Sequence, residues 1–132
     1  MDCIFCKIIN QEIPSYKIYE DEYVYAFLDI AKDIDGHTLV VPKKHFVNVL
    51  DCDSKTLGHV MNAINIISKH YVNDLGFDGV NILNASGEAA EQSVFHLHFH
   101  IIPRKNDDGL HTFPKLPGSK KELEEMHKLL KL

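Results

Sequence analysis

The chain carries no excess of positive charge. Nineteen acidic residues against fourteen lysines and arginines leave a formal net charge of −5. That balance argues against a general nucleic-acid or anionic-membrane surface, and leaves room for a small phosphorylated ligand held by local donors. No run approaches the ~18 apolar residues of a membrane span. The opening lacks the basic region of a secretory signal, because Asp2 and Cys3 stand in its place. Three cysteines, an odd number, do not suggest a disulfide framework and point to a reducing, cytoplasmic setting. There is no Gly-Lys-Ser/Thr phosphate loop. Repeats and low-complexity linkers are also missing, so residues 1–132 read as one domain, large enough for a core without staples.

Histidine, in contrast, is plentiful. Of nine histidines, three fall within five residues in the run His96-Leu97-His98-Phe99-His100-Ile101-Ile102. Side chains of a strand alternate faces. A strand therefore puts His96, His98 and His100 on one face and Leu97, Phe99 and Ile101 on the other, whereas a helix scatters the rings. Aromatic and β-branched residues closed by Pro103 favour the strand. Neutral imidazole is a nucleophile, a proton carrier and a metal ligand. A polar strand face, a zinc site and a histidine nucleophile all fit this pattern, and periodicity does not choose among them.

Cys3-Ile4-Phe5-Cys6 opens the chain before a short helical turn. This C-x-x-C is a redox pair, a metal clip or two small buried thiols; no βαβ pattern accompanies it, which weakens the redox reading. Residues 17–20, 23–30, 37–42, 79–85 and 93–104 read as strands. The segment 53–71 reads as the long helix, with Asp53 or Ser54 as cap and an apolar stripe at Leu57, Val60, Met61, Ile64, Ile67 and Tyr71. Met61 is then core or dimer seam. The polar loop 86–91 suits close approach of backbone N–H groups to a phosphate. The loop 105–118 is placed to fold over a site mouth. The final segment 119–132 reads as a helix with Ser119–Glu122 as a capping box.

The run His96–Ile102 resembles the signature of the histidine-triad (HIT) nucleotide hydrolases and transferases. Further blocks support the resemblance: Ile4–Ile9 with Ile13-Pro14, Phe27-Leu28-Asp29-Ile30, Gly36–His45, and Gln92-Ser93-Val94. They run in family order from Cys3 to about Arg104 and are most similar to the Hint branch. One departure is Glu91, where that branch usually has glycine.

The resemblance implies an α+β HIT-like fold: a five-stranded antiparallel sheet with one long helix and a short C-terminal helix. The core would span about 3–104, followed by a loop and helix over 105–132. It implies a homodimer formed through the long helix and an edge strand. It implies a nucleotide hydrolase in which His98 attacks the α-phosphorus of a purine nucleoside 5′-phosphoramidate. A covalent nucleotidyl-histidine forms and water releases the nucleoside monophosphate. His100 and His96 would donate to the phosphate oxygens, and His37 would orient the rings. Asp29 would hold the ribose. Ile30, Asn84, Gln92 and Ser93 complete the expected substrate contacts. Some bacterial relatives with the N-terminal C-x-x-C bind zinc, which implies a structural Cys3–Cys6–His45–His96 site. The chemistry itself needs no metal. A dinucleoside polyphosphate hydrolase and a zinc-containing nucleotide-binding module without turnover are the alternatives.

Overall fold

The computed structural model describes residues 2–132. Five short stretches become strands: Lys17–Glu20 (β1), Val24–Leu28 (β2), Thr38–Pro42 (β3), Gly79–Leu83 (β4) and Phe99–Arg104 (β5). All neighbours are antiparallel, in the order β1-β2-β3-β5-β4, so β4 lies at one edge. The expected α+β architecture, with one long helix and a short C-terminal helix, is the one observed.

The central strands are buried on both faces, which explains why β2 and β3 read as unbroken apolar runs. One face of the sheet gives Val24, Ala26, Val40 and Ile101 to the helix Ser54–Lys69 (α2), whose stripe supplies Val60, Ala63, Ile64 and Ile67. The other face gives Tyr25, Phe27, Leu39 and Val41 to the six-residue helix Ile4–Ile9 (α1), which inserts Phe5 and Ile8. Alternation along a strand thus serves two helices at once. Asp53 caps α2 through its carboxylate, which accepts from the Thr56 N–H at 3.0 Å. A π turn over His70–Asp74 prolongs the helix. It seats Tyr71, whose hydroxyl meets the buried Thr38 hydroxyl at 2.6 Å.

Three boundaries differ from expectation. The strand expected over 93–104 begins only at Phe99. The Leu97 N–H donates to the Phe46 carbonyl at 2.7 Å, drawing the chain off the β3 ladder before that point. The terminal helix spans Leu123–Leu130 (α3) rather than 119–132. Its capping box does not form: Ser119 donates to the Lys121 carbonyl, and the cap position falls to Glu122 without a side-chain bond. The third is β3, which begins at Thr38 rather than His37 because a turn precedes it. Gly36 stands there at φ +82, and a Cβ on it would lie 2.9 Å from Pro103 Cγ. Only glycine meets both demands, and the turn sets where His37 enters the sheet.

Candidate active site and metal clip

The six residues before β5 decide the site, because they run in extended and bent conformation rather than in a ladder. His96 is fully buried and turned away from its two neighbours. Its Nε2 lies 2.8 Å from the Pro42 carbonyl. A carbonyl only accepts, so Nε2 carries the proton and Nδ1 keeps the lone pair. That lone pair faces Cys3 Sγ at 3.4 Å, Cys6 Sγ at 3.5 Å and His45 Nδ1 at 3.2 Å. The four donor atoms lie within 4.8 Å of one another, a group able to hold a metal ion. Cys3 also caps α1, accepting from the Cys6 N–H. Burial and the neighbouring Cys3 thiol push the Cys6 thiol up to about 11. Burial brings His96 down to about 4, with the bond to Pro42 opposing.

His98 keeps one ring nitrogen free. Its Nδ1–H donates to the His96 carbonyl at 2.7 Å, so Nε2 holds a lone pair. The ring is 7% exposed, and the edge of Phe5 stands 5.2 Å from its centroid. Burial lowers its pKa below the usual imidazole value and keeps the ring neutral at neutral pH; the His96 bond partly offsets this. Asn84 clamps the same residue from β4's end, its Nδ2 donating to the His98 carbonyl at 2.9 Å. His100 follows, its ring centroid 5.0 Å from that of His98. Burial, then repulsion from His98 and His37, brings His100 down to about 4. His37, at the start of β3, closes the row: its Nε2 is 2.8 Å from His100 Nδ1.

The expected single row of three rings is therefore two groups. His98, His100 and His37 form one, and His96 joins Cys3, Cys6 and His45. Both ring nitrogens of His96 are engaged inside the protein, which leaves none for a phosphate.

The other expected contacts divide in the same way. Asp29 follows β2 with one carboxylate oxygen on the Ala31 N–H at 2.8 Å and the other 3.7 Å from His37 Nδ1. It closes an apolar slot of about 120 Å³ whose walls include Phe5, Ile8, Phe27 and Leu39, with Ile30 at the lip, 78% exposed. Asn84, His37 and His100 instead line a cavity of about 440 Å³, with Asp33 and Glu91 at its wall. The loop 105–118 does reach this cavity, through Leu110, His111 and Thr112. Arg104 ties that loop down with two bonds to Asp108 and one to the Leu110 carbonyl. Glu91 adopts φ +68, the left-handed conformation that glycine favours. Ser93 is exposed and lies at a groove beside Cys3 and His45. Gln92 is buried with its amide committed to the fold: Nε2 donates to the Val47 and Val94 carbonyls, and Oε1 accepts from Gly87 and Asn48. Its side chain braces the loop and offers nothing to a substrate.

Two participants escaped sequence reasoning. Asp33 was part of an unremarked polar loop, yet its carboxylate meets His37 Nδ1 at 2.8 Å. Its signal was an acid four residues before a histidine. The Pro42 carbonyl, which sets the tautomer of His96, leaves no side-chain trace at all.

The chain has counterparts among known proteins. The HIT domain model matches residues 10–107. The chain belongs to the HIT-domain family. It is similar to a HIT-like protein of Borreliella burgdorferi, 49% identical over 125 residues, 93% of this chain and 88% of that one. The adenosine 5′-monophosphoramidase of Saccharomyces cerevisiae is 39% identical over 98% of this HIT chain and 78% of its own length. Among solved structures, a Zn-bound histidine triad protein of Mycobacterium smegmatis superposes with a TM-score of 0.80 at 39% identity, covering 89% of this chain and 85% of that one. Among the described residues, no helix of this HIT domain is long and apolar enough to cross a membrane.

Proposed function

We propose that this HIT chain hydrolyses purine nucleoside 5′-phosphoramidates at the α-phosphate, through a nucleotidyl group carried on His98. The observation that carries the reading is the fixed tautomer of His98: Nδ1–H is spent on the His96 carbonyl, and Nε2 keeps its lone pair in a neutral ring. The name of the yeast relative supports the substrate class.

In the first step Nε2 forms a bond to phosphorus. The bond from phosphorus to the leaving nitrogen breaks, and that nitrogen takes a proton from solvent and departs as an amine. His100, next to the nucleophile, donates to the phosphate oxygens as charge builds on them. Water then attacks the phosphorus of the adduct, the bond to His98 breaks, and nucleoside monophosphate leaves. The purine fits the apolar slot between Phe5, Ile8, Phe27, Leu39 and Ile30, and the free electron pairs of Asp29 accept from the ribose hydroxyls. Asn84 holds the main chain of the nucleophile and lines the cavity that receives the phosphate and leaving group.

The clip completes the proposal as a structural zinc site. Four ligands at the usual zinc distances form a tetrahedron with edges of about 3.3 Å between nitrogens and about 3.6 Å between nitrogen and sulfur. Four of the six donor pairs already stand at 3.2 Å or 3.4–3.5 Å, and all lie within 4.8 Å. When bound, the ion ties the N-terminus to the sheet and supplies no chemistry to the reaction. A thiolate clip needs reduced cysteines, which suits a cytoplasmic setting. The edge strand β4 exposes Ile82, and α2 exposes Met61 and Ile66, a surface consistent with a two-fold homodimer.

Turnover of a panel tests the substrate class. An adenosine phosphoramidate should be cleaved, and a diadenosine polyphosphate should be cleaved poorly. The reverse order would make the chain a dinucleoside polyphosphate hydrolase, and binding without turnover of either would make it a nucleotide-binding module.

A further inference from the structure

His100 can serve a phosphate only if its outer nitrogen carries a proton, and the hydrogen bonds around it show what that requires. Asp33 Oδ1 lies 2.8 Å from His37 Nδ1, and His37 Nε2 lies 2.8 Å from His100 Nδ1. A carboxylate only accepts, so His37 Nδ1 carries a proton. In a neutral His37 the other nitrogen is then an acceptor and takes the proton of His100 Nδ1. That leaves His100 Nε2 with a lone pair, which repels a phosphate oxygen. One further proton on the pair reverses the chain. His37 then donates from both nitrogens, His100 Nδ1 accepts, and His100 Nε2–H points outward as a donor.

We infer that Asp33 is a positioning residue. Its carboxylate, acting through His37, keeps that additional proton on the His37–His100 pair, so that His100 presents an N–H to the phosphate. The inference rests on the proposed function for its consequence and on hydrogen-bond geometry for its substance. His37 is buried, so a charge on it needs a partner, and Asp33 makes the short contact. Asp29 Oδ2 is the second carboxylate near Nδ1, at 3.7 Å, with its other oxygen held by Ala31. His98 faces His100 from the other side and opposes the charge. Glu91 and His111 line the same cavity. The Asp33 carboxyl is itself held below the usual range by its bond to His37, so it is ionised at neutral pH. The contact is particular to the local chain: Asp33 and His37 are one helical turn apart in a loop whose course is set by Gly36.

The test compares Asp33→Asn and Asp33→Glu with the full-length wild type. Asparagine can still accept from His37 Nδ1 but brings no charge. A carboxylate near a cation raises its pKa, so its removal lowers the pH at which the pair gives up its proton. NMR titration of the assigned ring nitrogens of His37 and His100 should show the Asp33→Asn transition about one unit lower, and Asp33→Glu restored toward wild type. The high-pH limb of kcat on the adenosine phosphoramidate should move down with it, lowering kcat at neutral pH about tenfold, with KM little changed. An unshifted ring titration in a folded Asp33→Asn overturns the inference, as does a shifted titration with an unmoved kcat limb. A wild type that binds nucleotide and shows the titration shift but turns over no substrate contradicts the proposed function and leaves the proton-holding role of Asp33 standing.

Discussion

His96 turns both ring nitrogens away from His98, yet its carbonyl accepts the Nδ1–H of His98 at 2.7 Å. The ring belongs to the group formed with Cys3, Cys6 and His45, and the main chain serves His98. One residue thus joins the two parts of the site: what fixes the imidazole of His96 also fixes the peptide group that selects the tautomer of His98. The link is mechanical, because Pro42, Cys3, Cys6 and His45 surround the ring while Asn84 holds the carbonyl of His98.

Metal removal should act on stability first, because the Pro42 carbonyl holds the His96 ring independently of any ion. Protein purified without added zinc should carry about one zinc per chain, and Cys3→Ser with Cys6→Ser should carry none. Chelation should lower the melting temperature more than it lowers kcat measured well below melting, because an ion held by Cys3, Cys6, His45 and His96 would secure the N-terminus without touching the proposed reacting atoms. A wild type that stays metal-free after zinc addition and melts with the double variant would reduce Cys3 and Cys6 to buried thiols.

Asp29 should matter through the ribose. Losing a charged acceptor costs about 1.5–3 kcal/mol of binding, so Asp29→Ala should weaken nucleoside monophosphate roughly tenfold to a hundredfold. A 2′,3′-dideoxy analogue should bind wild type and variant alike in calorimetry. A penalty of equal size with that analogue would mean that Asp29 acts on the loop instead.

Stability should fall in acid through the buried rings. His100 has its pKa depressed from 6.5 to about 4 by burial. The unfolded chain therefore takes up this proton first as pH falls, and protonation favours unfolding. The stabilisation is intact above about pH 6.5 and is lost on the way down to about pH 4. Denaturant midpoints across this window should decline for wild type, and decline less for His100→Gln. Equal slopes would place the acid sensitivity elsewhere.

The legibility of this chain follows the range of the forces involved. The sheet and α2 were readable because their signals are periodic: Val60, Ile64 and Ile67 meet Val24, Ala26 and Val40 as the spacing requires, while Ala63 joins them unread and Met61 stays exposed. Cys3 and Cys6 were readable as candidate donors because metal donors form a short list, and the family resemblance added His45 and His96. The strand start at Phe99 was not, since it depends on a single bond from Leu97 to the Phe46 carbonyl. The division of the triad depends on Pro42 O and His96 O, backbone groups that every residue owns. Gln92 was read as a ligand contact by its place in a motif, while its four bonds are decided by carbonyls and amides brought together only by folding.

The central claim is that His98 carries the nucleotidyl group. Rapid acid-free quenching during turnover of the adenosine phosphoramidate, followed by mass spectrometry of peptides, locates the adduct. A nucleotidyl mass is expected on the peptide at His98 in wild type. None is expected in His98→Ala, with turnover abolished and nucleoside monophosphate binding largely kept, because the nucleophile acts in the chemical step. An adduct on another residue, or a His98→Ala variant with near-wild-type kcat, would contradict it.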